Sequence, residues 1–142
     1  MSRIRTLRGK ATDATIKHLV IDDGNLNHAF KVLEFVVFSD LPASAAADAW
    51  GTLAVNEDGA SNWDASNNGQ IGWSGQSIHN ADGPMNQFSL IDPDHVIVRD
   101  LYLYGEAGGS TQTFNYFVRL QAVSLNDDES IIALIKEGNQ DV

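Results

Sequence analysis

Four histidines, at positions 18, 28, 79 and 95, are the first side chains to test for chemistry. No two have the i, i+4 spacing of a helical metal site, and no strand-like run carries a His-x-His element, so no metal centre is expected. Carboxylates in two loops are more suggestive. Asn56-Glu57-Asp58-Gly59 and Asn62-Trp63-Asp64 set oxygen ligands around a glycine turn, a composition that can hold calcium. These segments lack the regular odd-position ligands and closing glutamate of a twelve-residue calcium loop, and Asn, Asp and Gly make turns without any ion. Asp58 and Asp64 are therefore kept as candidate ligand-binding residues beside that simpler reading. Gly72-Trp73-Ser74-Gly75 has the flavour of a nucleophile elbow, but at the wrong spacing and with no helix after it, so Ser74 is read as structural. A chain without cysteine has no thiolate chemistry. Neither a phosphate-binding loop nor a dinucleotide fingerprint is present. Nineteen acids make a glycosidase-like carboxyl pair easy to imagine, yet the sequence singles none out. No catalytic residue and no cofactor is expected.

Aromatic residues offer a different chemistry. Trp50, Trp63 and Trp73 fall in one 24-residue window. Exposed indoles on a β-sandwich can stack on sugar faces. Trp50 and Trp73 sit in strand-like runs and are expected to pack inside, as large aromatics commonly do. Trp63, between Asn62 and Asp64, is the best exposed candidate.

The elements that position these residues are read from periodicity. Strand-like runs occur at 16–21, 29–38, 50–55, 70–74, 87–91, 95–104 and 114–123, separated by Gly, Asn, Asp and Ser clusters. In 29–38, alternation places Phe30, Val32, Val36 and Phe38 on one face and Leu33, Phe35 and Val37 on the other. In 114–123, Phe114, Tyr116, Val118, Leu120 and Ala122 share a face, and only Phe117 interrupts the polar one. Asp92-Pro93-Asp94 suits a type I turn, so the runs flanking it are expected to form an antiparallel hairpin or a tight corner. Near the C-terminus, Asn126 as N-cap, acids at 127–129, the stripe Ile131, Leu134, Ile135 and Gly138 as terminator predict one short helix. With the N-terminal segment included, about eight strands emerge. Loops of roughly 10–14 residues favour crossings between sheets. The expected fold is all-β: an eight-stranded antiparallel sandwich, jelly-roll or Greek-key, with a short C-terminal helix. The chain divides into a basic arm (1–11), a sandwich (12–125) and a helix with tail (126–142).

Nineteen acidic and nine basic residues give a formal net charge of −10. Four of the nine cations, Arg3, Arg5, Arg8 and Lys10, lie in the first ten residues. That basic arm on an acidic body can be a solvated tail, can pair with the acidic face of a neighbouring copy, or can touch nucleic acid. Ile4 and Leu7 among its cations also allow it to dock as an edge strand. No apolar run approaches the ~18 residues of a membrane span, and no signal-peptide h-region is visible.

The arm SRIRTLRGK, the eight-strand rhythm, the cysteine-free acidic body and the ending LNDDESIIALIKEGNQDV together resemble small virion structural proteins of bacteriophages, of the single jelly-roll capsid or minor capsid type. The resemblance implies self-assembly, a virion location, other virion proteins as partners and no catalysis. It identifies no functional residue. Capsid arms that contact genomes are usually longer and more basic, which weighs against genome binding by this one. The leading expectation is a non-enzymatic capsid, vertex or decoration subunit, with Arg3, Arg5, Arg8, Lys10, Ile131, Leu134 and Ile135 as assembly residues. The alternative is a carbohydrate-binding or adhesion module using Trp63, Asp58 and Asp64, with calcium as an optional ligand.

Overall fold

A computed structural model describes residues 4–21, 28–41, 48–56, 62–77, 86–98, 100–108 and 112–124. Among these the chain is all-β: β1 (Ile4–Thr12), β2 (Thr15–Leu19), β3 (His28–Ser39), β4 (Ala49–Ala54), β5 (Gln70–Ser77), β6 (Asn86–Ile91), β7 (Leu101–Ala107) and β8 (Thr113–Ser124). A small sheet runs in the order β1-β8-β3 and a large one in the order β2-β7-β4-β5-β6, every pairing antiparallel. The segment expected as an arm is thus, from Ile4 onward, the edge strand of the small sheet, in register with β8 from Ile4↔Gln121 to Thr12↔Thr113. The residues of the expected helix, 126–137, lie outside the described residues.

The two sheets face each other across a core of Phe35, Leu53, Ile71, Leu103, Phe114 and Leu120, all essentially inaccessible to water. Alternation delivers these side chains inward. In β8, residues 114, 116, 118 and 120 face inward as expected. In β3 the expected faces are wrong beyond its midpoint. The register with β8 shifts between Val32 and Glu34, so an extra residue resets the parity. Phe30 and Val32 face the core before the shift, and Phe35 and Val37 after it, leaving Val36 and Phe38 on the outer face. Val36 then lies opposite Phe117, which explains the one apolar residue on the outer face of β8.

Asp92-Pro93-Asp94 makes a corner rather than a hairpin: the Asp94 amide donates to Asp92 Oδ1 at 3.1 Å, and β6 and β7 are not neighbours. Beyond it the chain crosses to the small sheet, where Phe30 and Ile97 exchange both backbone hydrogen bonds at 2.8 Å. The strand predicted from His95 therefore begins only at Leu101. At the opposite corner, β1 passes to β2 through Asp13-Ala14, where Ala14 holds the left-handed φ of 56°. The Ala14 amide donates to the Gly105 carbonyl, and Asp13 Oδ1 accepts from the Ala107 amide, each at 2.8 Å. Gly105 must be glycine. A Cβ there would stand 2.4 Å from the Trp50 carbonyl oxygen and 2.6 Å from Phe114 Cζ.

The small sheet has two edges, and they are treated differently. Along β3 the backbone groups turned away from β8 are capped by side chains from the large sheet. Ser74 Oγ accepts from the Val37 amide at 2.8 Å, Gln76 Oε1 accepts from the Ser39 amide at 2.9 Å, and Gln87 Nε2 donates to the Val37 carbonyl at 3.2 Å. With Ile97 pairing Phe30, this closes one side of the sandwich. Ser74 is accordingly structural: its hydroxyl joins β3 to β6 through the Phe88 carbonyl at 3.0 Å. Along β1 no strand occupies the outer edge among the described residues; at its end Thr15 Oγ1 donates to the Thr12 carbonyl at 2.8 Å, and from Ile4 to Lys10 no described side chain caps it.

Candidate functional site

Two surfaces gather the residues singled out from sequence. The first is the open side, where the edge strands β1 and β2 pack one above the other. Alternation in β1 turns Leu7 and Ala11 inward and leaves Ile4, Thr6, Arg8 and Lys10 on the outer face. Arg5, at the inner rim, donates to the Val20 carbonyl at 3.3 Å. Lys17 of β2 lies over the Tyr116 ring, 5.6 Å from its centroid. Lys10 Nζ is 3.6 Å from the carboxylate of Asp40, which is 6% exposed and also accepts from Thr113. Arg8 and Lys10 line a shallow depression of about 380 Å³ with Phe38 and Phe117. Ile4, Ile16 and Val20 are exposed large apolar side chains on these two edges. The result is a basic, partly apolar side on a chain of net charge −10. At the end of β2, Asp100 fastens the chain: its carboxylate meets His18 Nε2 at 2.6 Å and accepts from the Ile21 amide at 3.0 Å, while His18 stacks on Tyr102.

The second surface is the outer face of the large sheet. Trp50 and Trp73, expected inside, stand out here half-buried; Gly51 and Leu53 in β4 and Gly72 and Ser74 in β5 take the inward positions, so the indoles fall on the other parity. Trp63, 42% exposed and so on the surface as expected, lies on this face, in the loop between β4 and β5. Its Nε1–H donates to the Gly51 carbonyl at 3.1 Å. Gly75 gives the ring its seat, since a Cβ there would come within 3.2 Å of the Trp63 Cη2. The rings run in sequence across the sheet. Tyr104 and Trp50 are 5.9 Å apart, Trp50 and Trp63 meet edge-to-face at 6.1 Å and 88°, and Trp63 and Phe88 are 5.4 Å apart at 34°. Beside them is a groove of about 340 Å³ lined by Trp50, Trp63, Gly75 and Phe88, with Asp48, Gln76, Ser77, Asn86 and Gln87 supplying polar atoms.

Asp64 does not join Trp63 in lining that groove. Its Oδ1 accepts from the Ser66 amide at 3.0 Å and from the Ser66 hydroxyl, and these bonds hold its carboxyl below the ordinary carboxylate range. It shapes the turn that carries Trp63, as the simpler reading of that loop expects. Gln70 braces the same loop, its Oε1 accepting from the Asp64 amide at 2.9 Å and from Trp73 Nε1 at 2.8 Å. No group of three His, Asp or Glu side chains converges among the described residues. Arg3, Asp58, Ile131, Leu134 and Ile135 lie outside the described residues. Phe88, Asn86 and Asp48 were not anticipated. The only signal for Phe88 was its parity in the 87–91 run, which carries meaning only once β6 is known to lie beside Gly75.

No protein-family model and no curated protein matches the chain. What these surfaces do has to follow from their own geometry.

Proposed function

We propose that this chain is a non-enzymatic structural subunit of a virion, a capsid, vertex or decoration protein with a jelly-roll-type sandwich, that assembles with copies of itself. The observation that carries this reading is the unequal treatment of the two edges of the small sheet. A strand edge with free N–H and C=O groups is a template for another chain, and monomeric proteins cover or blunt such edges. Here β3 is sealed by Ser74, Gln76 and Gln87, while among the described residues nothing covers the outer edge of β1 from Ile4 to Lys10. The open edge carries Arg5, Arg8 and Lys10. Two copies meeting β1 to β1 would set these cations against one another, whereas β1 against the acidic remainder of a neighbour would neutralise them. That favours a heterologous contact, which closes into rings or repeats into larger shells. The segment 126–142, with Ile131, Leu134 and Ile135, is proposed as a second contact on its sequence pattern. The likeness to phage capsid proteins supports the same assignment and the virion location.

Light scattering after size-exclusion chromatography tests it on the full chain and on the double variant Ile4→Lys/Arg8→Glu, both exposed positions. The wild type is expected to run as a defined oligomer that loosens at high salt. The variant is expected to run smaller with an unchanged β-sheet spectrum. A wild-type monomer at every concentration, or a variant oligomer of wild-type size, contradicts the proposal. Removing residues 1–10 would not serve, because it strips a strand of the sandwich and uncovers β8.

A further inference from the structure

We infer that the groove at Trp50, Trp63 and Phe88 binds a neutral sugar, a terminal pyranose or short oligosaccharide, independently of how copies assemble. Small-ligand sites are concave and mostly apolar, with a few polar groups that orient the ligand, and this groove has that make-up. Its volume of about 340 Å³ is at the low end of the roughly 300–1,000 Å³ such sites span, which suits one or two sugar rings better than a peptide. Trp63 and Phe88 lie 5.4 Å apart at 34° and Trp50 meets Trp63 edge-to-face at 88°, so the three rings gather into one contiguous aromatic platform beside the groove, with Trp63 and Phe88 its exposed members. A pyranose offers an apolar C–H face to such a platform and hydroxyls at its rim. Asp48, Ser77 and Asn86 border the groove, and carboxylate, hydroxyl and amide oxygens and nitrogens are the groups that pair with sugar hydroxyls.

The platform is exposed without being loose. Trp63 is 42% and Phe88 48% exposed, yet the indole N–H is tied to the Gly51 carbonyl and the ring rests on Gly75. Little side-chain freedom remains to be lost on binding. The electrostatics select the ligand class. Among the described residues no Lys or Arg lines the groove and Asp48 does, on a chain of net charge −10, so the described lining offers a sulfated or carboxylated glycan no counter-charge. A quaternary ammonium prefers rings that surround it. These rings touch one another, at 5.4 and 6.1 Å between centroids, and leave no gap for a cation between them.

The test is tryptophan fluorescence of the full chain titrated with maltotetraose, cellotetraose, chitotetraose and mannotetraose, each to about 10 mM, a ceiling that still detects millimolar affinity. A chondroitin sulfate tetrasaccharide and choline chloride serve as charged comparisons. At least one neutral tetrasaccharide is expected to give a saturable change. Trp63→Ala and Phe88→Ala are each expected to weaken it about tenfold or more, as loss of a central aromatic anchor does. Phe38→Ala, on the other sheet, is expected to leave it unchanged. Asn86→Ala, at an exposed rim position, gives a milder loss and keeps the test usable if Trp63→Ala fails to fold. Flat titrations with all four neutral sugars, binding of only the sulfated sugar or choline, or binding that survives Phe88→Ala overturns the inference.

Discussion

The β3 edge and the β1 edge belong to the same three-stranded sheet, flank the same strand β8, and meet opposite fates. Along β3 the large sheet turns Ser74, Gln76 and Gln87 toward backbone groups that have no strand to pair with, and Ile97 supplies a single bridge further along. Polar side chains here do the work of a missing strand. Along β1 the described residues provide no such side chain before Thr12, whose carbonyl Thr15 caps, and the exposed positions carry Ile4, Thr6, Arg8 and Lys10. Among the described residues the fold sets Ser74, Gln76 and Gln87 of the large sheet against one edge and none against the Ile4–Lys10 stretch of the other, so openness is a property of β1 rather than of small sheets in general. Charge on an edge strand ordinarily discourages unwanted pairing. On an acidic molecule the same cations discourage β1–β1 pairing while attracting the acidic surface of a neighbour.

Removing the open edge altogether is expected to have the largest effect. Deleting residues 1–12 takes away β1 and the inward side chains Leu7 and Ala11, exposing the flank of β8. Loss of a cooperative unfolding transition is expected, seen as a featureless urea titration by tryptophan fluorescence. The open edge is thus open outward and indispensable inward.

The sealed edge should yield next. Ser74→Ala with Gln87→Ala leaves the Val37 N–H and C=O without their partners in a buried setting, and each such orphan costs about 1–3 kcal/mol. A drop of roughly 2–4 kcal/mol in urea-derived stability is expected. Because β3 would then also present a free edge, new concentration-dependent association is expected in light scattering. A double variant as stable as the wild type would mean that the side-chain seal contributes nothing.

Much of this architecture was legible in the sequence. Alternation and turn chemistry marked all eight strands, including the edge-strand option for Ile4–Lys10, because both are local properties of the chain. The parity error in β3 came from one inserted residue near Leu33, a bulge that no side-chain pattern announced. Trp50 and Trp73 were expected inside because large aromatics usually are, but their parity partners Gly51 and Gly72 are the residues that fit beneath the opposing sheet. The groove was half visible. Trp63 was found from its polar neighbours, whereas Phe88 and Asn86 reach it only through the β5–β6 pairing, a non-local fact.

Smaller effects sharpen the picture at the two corners. On the open side, Ala14 sits at φ 56°, a conformation that costs an L-residue about 1–2 kcal/mol, partly offset in glycine by its greater chain entropy. Ala14→Gly is expected to raise stability by up to about 1 kcal/mol in urea denaturation, with assembly unchanged. On the sealed side, His95 precedes the Ile97 bridge, and burial pushes its pKa below the ordinary histidine value, with Asp92 opposing. The unfolded chain therefore takes up that proton first as pH falls. The His95 contribution is intact above the ordinary histidine pKa and shrinks as pH drops through it toward the lowered folded value. Melting temperatures between pH 7.5 and 5.5 should fall less for His95→Gln than for the wild type, and an equal fall would remove His95 as the cause.

Hydrogen–deuterium exchange of the full chain, followed at dilute and at concentrated protein, reads both edges in one experiment. The Val37 and Ser39 amides are expected to be protected at every concentration. The β1 amides that face away from β8 are expected to exchange quickly when dilute and to become protected as copies assemble. Exchange in β1 that stays fast while the oligomer grows would show that neighbours meet elsewhere and would contradict the assignment of the open edge.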